Sequence, residues 1–103
     1  MIALLGHSDF GLEVLKKILS KKINISYVTT KKYNKNHTDK SFIDFKNICA
    51  DNDIPLLINR DVNDKDIIKF NMEKKVKFVI IGGYDGILKK PFISSVKKVI
   101  NTH

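Results

Sequence analysis

The sequence predicts an α/β fold: an open, mostly parallel sheet of about five strands with helices on its faces. Three observations predict it. Two apolar runs, Ile2-Ala3-Leu4-Leu5 and Phe78-Val79-Ile80-Ile81, are each followed by glycine. Continuous apolar runs of that length suit strands covered on both faces. Amphipathic stretches at helical spacing separate the strand-like segments, the alternation that right-handed crossovers produce.

The first strand is read over residues 2–5. The turn Gly6-His7-Ser8-Asp9-Phe10-Gly11 follows it, with Ser8 or Asp9 as helix cap. Leu12, Val14, Leu15, Ile18 and Leu19 recur at helical spacing, with Lys16, Lys17 and Lys21 opposite. Residues 23–29 alternate as a second strand. Residues 31–40 are polar and read as a loop. Phe42, Phe45, Ile48 and Cys49 mark a second helix, capped by Asp39 or Ser41. A third strand covers 54–58, with Pro55 at its start. A third helix covers 64–74, with Ile67, Ile68 and Phe70 inward and Asp64 or Asn63 as cap. The fourth strand is 77–81. Residues 87–96 read as a short helix interrupted by Pro91, and 98–101 as the fifth strand.

Composition narrows the class. At 103 residues the chain is one domain at most. No apolar run reaches the roughly 18–20 residues needed to cross a bilayer. The N-terminus lacks a basic leader, so a cytoplasmic protein without membrane contact is expected. Cys49 is the sole cysteine, which excludes an internal disulfide and a cysteine-based metal site. It reads as a small core residue. The formal charge is +8, yet Arg60 is the only arginine among 19 basic residues. Bidentate phosphate and base recognition favours arginine. The charge therefore reads either as a lysine-rich solvated surface or as a field attracting a phosphorylated substrate.

In open parallel sheets ligands bind beyond the carboxyl ends of the strands. Three segments lie there. The turn at 6–11 has Ser8 where a dinucleotide fingerprint needs glycine, and Leu12-Glu13 where a P-loop needs Lys and Ser/Thr. It is a plain capped turn or a phosphate contact through Gly6, His7, Ser8 and Asp9. Gly82-Gly83-Tyr84-Asp85-Gly86-Ile87-Leu88 carries three glycines in five residues. Those glycines allow close backbone approach, and Tyr84, Ile87 and Leu88 supply a flat apolar wall. It is a flexible connection or a pocket for an aromatic ring. Asn101 and His103 alternate onto one face at the end of the last strand. His7 and His37 do not complete a metal set by spacing, and no metal is expected. There is no G-x-S-x-G.

Taken together, these segments resemble the N-terminal catalytic domain of the folate-dependent formyltransferases. The likeness begins at residues 2–15, similar to the family's opening strand, G-x-x-x-F/M-G turn and helix. It continues through Ala50-Asp51-Asn52-Asp53-Ile54-Pro55-Leu56, similar to a helix end and "GIPV" strand. It closes on residues 78–88 and on Val99-Ile100-Asn101-Thr102-His103, similar to "DLIVVxxYGxIL" and "INxH". The resemblance implies a Rossmann-like fold and formyl transfer from 10-formyltetrahydrofolate to an amine. It implies Asn101 and His103 as catalytic groups. It further implies Gly82, Gly83, Tyr84, Gly86, Ile87 and Leu88 around the folate, with Gly6, His7, Ser8 and Asp9 toward the acceptor.

The family continues past its histidine with a "PSLLPxYRG"-like loop and a later catalytic Asp. The expectation is therefore a partial catalytic domain over 1–103, inactive in isolation, whose parent is an enzyme that dimerises, if at all, through the absent C-terminal part. Residues 30–40 lack the "PDxPxGRG" type segment of the methionyl-tRNA enzymes, and Asp61-Val62-Asn63 looks like the "DVN" of the sugar N-formyltransferases. A nucleotide-linked amino sugar for a surface polysaccharide is the favoured acceptor. Initiator tRNA stands second. A non-catalytic folate- or nucleotide-binding module is the alternative of another class. A response-regulator receiver is excluded, because Gly6-His7 and Ile58-Asn59 lack the acidic residues it needs.

Overall fold

The computed structural model describes residues 1–32 and 40–102. The expectations placed on Asp39, on His37, on His103 and on most of the 31–40 loop lie outside them. Five strands, β1 (Ile2–Gly6), β2 (Ile25–Thr30), β3 (Leu56–Ile58), β4 (Phe78–Gly82) and β5 (Lys98–Asn101), form one sheet in the order β3-β2-β1-β4-β5. Every pair within it is parallel. The helices are α1 (Ser8–Ser20), α2 (Lys40–Asp51), α3 (Lys65–Glu73) and α4 (Lys90–Ser94). This is the Rossmann-like α/β arrangement expected from the alternating pattern.

Alternation along the strands divides the core in two. Leu4 and Val28 face α1 and α2, packing on Leu12, Leu15, Phe45 and Cys49. Ala3, Leu5, Tyr27 and Val79 face the other way, onto Ile67 and Phe92. Cys49 is thus a core residue, and burial pushes its thiol up to about 11. On the α3 side the Tyr27 hydroxyl donates to Asn71 Oδ1 over 2.8 Å, and Asn71 Nδ2 donates to Ser95 Oγ over 3.0 Å. This buried relay ties β2 to α3 and to the end of α4, and burial pushes the Tyr27 phenol up to about 12.

Several local expectations are corrected. Pro91 does not interrupt a helix; it sits in the first turn of α4, where its missing N–H costs nothing. The segment 87–89 stays outside that helix. Neither Ser8 nor Asp9 caps α1. His7 occupies the cap position without a side-chain cap bond, and Ser8 Oγ donates instead to the His7 carbonyl over 2.6 Å. Asp64 holds the cap position of α3, also without a side-chain cap bond. The second strand starts at Ile25, three residues after a turn at Lys22 with φ 56°.

On the α1 side, no helix among the described residues lies over β5. Phe10, Ile23 and Ile100 are exposed there. A groove of about 770 Å³ runs between α1 and the sheet, with Val14, Ile18 and Ile80 along its floor.

Candidate functional site

Strands β1, β2 and β3 are laid down outward in one direction, and β4 and β5 in the other. The direction reverses between β1 and β4, the position beside which open α/β sheets bind ligands, and the loops after these two strands rise side by side. Their bases are pinned. The His7 N–H donates to the Gly82 carbonyl over 3.0 Å, and Gly6 bridges Gly83. A Cβ on Gly11 would lie 2.6 Å from Gly82 O and 2.8 Å from Gly6 Cα. Gly11 is therefore needed for α1 to dock on the strand ends, while a Cβ on Gly6 or Gly82 would press on side chains, 3.2 Å from Phe45 and 3.3 Å from Leu4.

Above that junction the side chains of the two loops meet. The buried His7 ring tilts against Tyr84, with ring centroids 5.0 Å apart. His7 Nδ1 lies 3.3 Å from Asp85 Oδ1, and the other oxygen of Asp85 lies 3.5 Å from Lys31 Nζ. Burial pushes the imidazole below its ordinary 6.5, against the opposing pull of Asp85. Burial likewise pushes the Tyr84 phenol up, opposed by a hydrogen bond with the Val62 backbone. A Cβ on Gly86 would collide with the Tyr84 ring. Glycine there lets the loop fold over its own tyrosine.

This cluster forms one wall of a cleft of about 600 Å³. The opposite wall comes from the ends of β2 and β3: Lys31, Lys32, Asn59, Arg60, Asp61 and Asn63. Arg60 Nη2 donates to Asp66 Oδ1 and Oδ2, both over 2.8 Å, and to Asp64 Oδ2 over 3.2 Å. These bonds, Asp66 first, push the guanidinium up, and hold Asp66 below its ordinary value. Asn63 Nδ2 donates to the Ile87 carbonyl over 2.7 Å, and Asn63 Oδ1 accepts from the Lys89 N–H over 2.8 Å. Asn63 also turns back on Asp61, whose carboxyl the Asn63 backbone and side-chain N–H groups hold low. The side chain of Asn63 thereby sets where the 87–89 segment runs.

Of the residues singled out from sequence, His7, Tyr84, Gly86 and Ile87 line the cleft. Gly6 and Gly82 are buried in the junction beneath it, and Gly83 packs on the His7 carbonyl. Leu88 turns into the α3-side core. Ser8 and Asp9 are exposed and outside the cleft lining. Asn101 is exposed at the end of β5, in register with Ile81. It shares the sheet face of Val99, which packs toward the α3-side core. The cleft opens on that face too, because His7 follows Ala3 and Leu5 at spacing two, and Lys31 follows Tyr27 and Thr29. Asn101 stands two strand spacings, about 10 Å, from β1. Lys31, Lys32, Asn59, Arg60, Asp61, Asn63, Asp85 and Lys89 were not read as site residues. The carboxyl-end rule that picked out the other loops also applies to the ends of β2 and β3.

Among the described residues no group of three or more His, Cys, Asp and Glu is placed to hold a metal ion, and no helix is long and apolar enough to cross a membrane. No protein-family model matches the chain, and no curated protein matches it.

Proposed function

We propose that this chain forms the folate- and acceptor-binding part of an N-formyltransferase. It would pass a formyl group from 10-formyltetrahydrofolate to the amine of a nucleotide-linked amino sugar. The observation that carries the reading is Asn101, an exposed amide closing β5 on the sheet face onto which the His7–Tyr84 cleft opens. The order and spacing of the motifs at 2–15, 50–56, 78–88 and 99–103 support the same reading.

The chemistry asks little of any one residue. The acceptor nitrogen attacks the formyl carbon, and negative charge gathers on the formyl oxygen. The bond to the folate nitrogen then breaks, and that nitrogen takes up the proton the amine gives up. The Asn101 carboxamide N–H can donate to the developing oxyanion. By resemblance His103 carries the proton or stabilises the same charge. Tyr84 and Ile87 offer a flat surface for the pterin, beside backbone groups of the 83–86 turn. A cleft holding both carboxylates and lysines suits an acceptor carrying both an amine and phosphates.

The resemblance assigns no residue of this chain to the family's catalytic Asp, so binding is the primary readout. Titration with 5-formyltetrahydrofolate, a stable isomer of the donor, is expected to saturate. Tyr84→Ala is expected to weaken it about tenfold, the loss of one stacked ring. Absence of saturable folate binding overturns the reading in favour of a nucleotide-binding module. Competition with a nucleotide-linked amino sugar and with bulk tRNA separates the two acceptors.

A further inference from the structure

We propose that Lys31, Lys32, Arg60 and Lys89, which line the cleft, form a diphosphate-binding site, and that the turn at 6–11 does not. Assigning that diphosphate to an amino-sugar nucleotide rests on the reading above; the site itself is tested without it.

The turn has already committed three of the donors an anion could use. Its His7 N–H is bonded to Gly82, its Gly11 N–H to the His7 carbonyl, and its Ser8 hydroxyl to the same carbonyl. Asp9 places a carboxylate in the first turn of α1, where it meets the helix dipole itself. Asp85 adds a second negative charge beside His7. An incoming phosphate would meet two carboxylates there.

The cleft presents the opposite arrangement. Four cationic side chains line it against two carboxylates, Asp61 and Asp85. They come from three separate segments: the end of β2, the end of β3 and the approach to α4. They therefore surround the cleft from several sides. Arg60 engages Asp64 and Asp66 through Nη2 alone, and its Nε and Nη1 make no bond with the described residues. The two aspartates fix the guanidinium in place, and a fixed fork suits bridging oxygens on two phosphates. Lysines serve phosphate as point charges. Lys89 follows the segment that Asn63 clamps, so its backbone position is set before any ligand arrives. Asp61 and Asp85 in the lining, and Asp64 and Asp66 on Arg60, offset much of that positive charge. That matches a diphosphate more closely than a long polyanion, and leaves carboxylates for a cationic group on the same ligand.

The test is a titration of the chain with inorganic pyrophosphate and, separately, orthophosphate, at about 0.15 M ionic strength so that unspecific attraction is screened. Thermal stabilisation and heat of binding are the readouts. Pyrophosphate is expected to bind saturably and at least tenfold tighter than orthophosphate. The double variant Lys32→Ala/Lys89→Ala is expected to lose at least tenfold in pyrophosphate affinity. Lys16→Ala/Lys17→Ala on α1, carrying the same charge change, is expected to bind as the parent does. All four positions are on the surface, so melting temperatures near the parent's are expected to exclude misfolding. Equal losses in both double variants, no saturation, or a loss confined to Ser8→Gly each overturn the site. Pyrophosphate binding with no folate binding retains the site and removes the transferase reading. Folate binding without pyrophosphate binding does the reverse.

Discussion

Asn63 and Lys89, far apart in sequence, are joined by a 2.8 Å hydrogen bond from the Lys89 backbone N–H to the Asn63 side-chain oxygen. The same carboxamide holds the Ile87 carbonyl. One side chain after β3 therefore fixes the loop after β4, and with it the mouth of the cleft. Asn63→Ala is expected to cost about 1–2 kcal/mol. Exchange of the Lys89 amide, followed by mass spectrometry or NMR, is expected to speed up about tenfold. Unaltered protection of that amide would show that the loop holds itself. Asn63→Asp keeps the acceptor for Lys89 but sets a carboxylate against Asp61, and is expected to be no milder.

Gly11→Ala is expected to destabilise the chain by about 1–3 kcal/mol. Alanine would otherwise favour the helix by about 1 kcal/mol. The sign reverses because the new methyl would stand 2.6 Å from the Gly82 carbonyl, and both neighbours are backbone. A lower urea midpoint at constant m-value is the expected signature. A higher midpoint would mean that α1 does not dock on the strand ends.

Stability is expected to depend on pH through His7. Its folded-state value lies below the ordinary 6.5, chiefly through burial, so below 6.5 the unfolded chain binds the extra proton. Stability is then full above 6.5 and declines as pH falls toward the folded value. The charged groups facing the ring are Asp85, which favours the imidazolium, and Lys31, which opposes it. His7→Gln is expected to flatten the decline. Asp85→Asn removes the carboxylate's pull, lowers the folded value further and carries the decline to lower pH. Urea melts in buffers on both sides of 6.5 read this directly. A slope retained in His7→Gln would assign the effect elsewhere.

Cys49 is expected to resist thiol reagents in the folded chain. Its thiol is buried and pushed up to about 11, so little thiolate exists near neutrality. Labelling by an aromatic disulfide is expected to track urea unfolding. Rapid labelling in the absence of denaturant would mean that α2 lifts off the sheet.

The fold was legible because its signals are local and doubled. The runs 2–5 and 78–81 are apolar on both faces, and the spacing of Leu12, Leu15 and Ile18 admits only a helix. Pro91 was misread because a proline that starts a helix and one that interrupts a helix look alike until the preceding segment is placed. The site was legible in half. His7, Tyr84, Gly86 and Ile87 sit in loops whose glycines advertise close packing. Arg60, Asp61 and Asn63 lie after a strand whose carboxyl end at Ile58 is legible, but no glycines mark the segment that follows it. The meeting of His7 with Asp85 was hidden because it depends on β1 and β4 being neighbours, which chain order does not state.

The bare strip along α1 and β5 has a practical side. Phe10, Ile23 and Ile100 give passing molecules something oily to adhere to, while a surplus of eight positive charges keeps copies of the chain apart. Sodium chloride weakens the second influence and not the first, since the screening length shrinks to about 8 Å in physiological saline. Clouding and light scattering should therefore grow as salt is added. Dilute buffer is the kinder medium for storing this polypeptide.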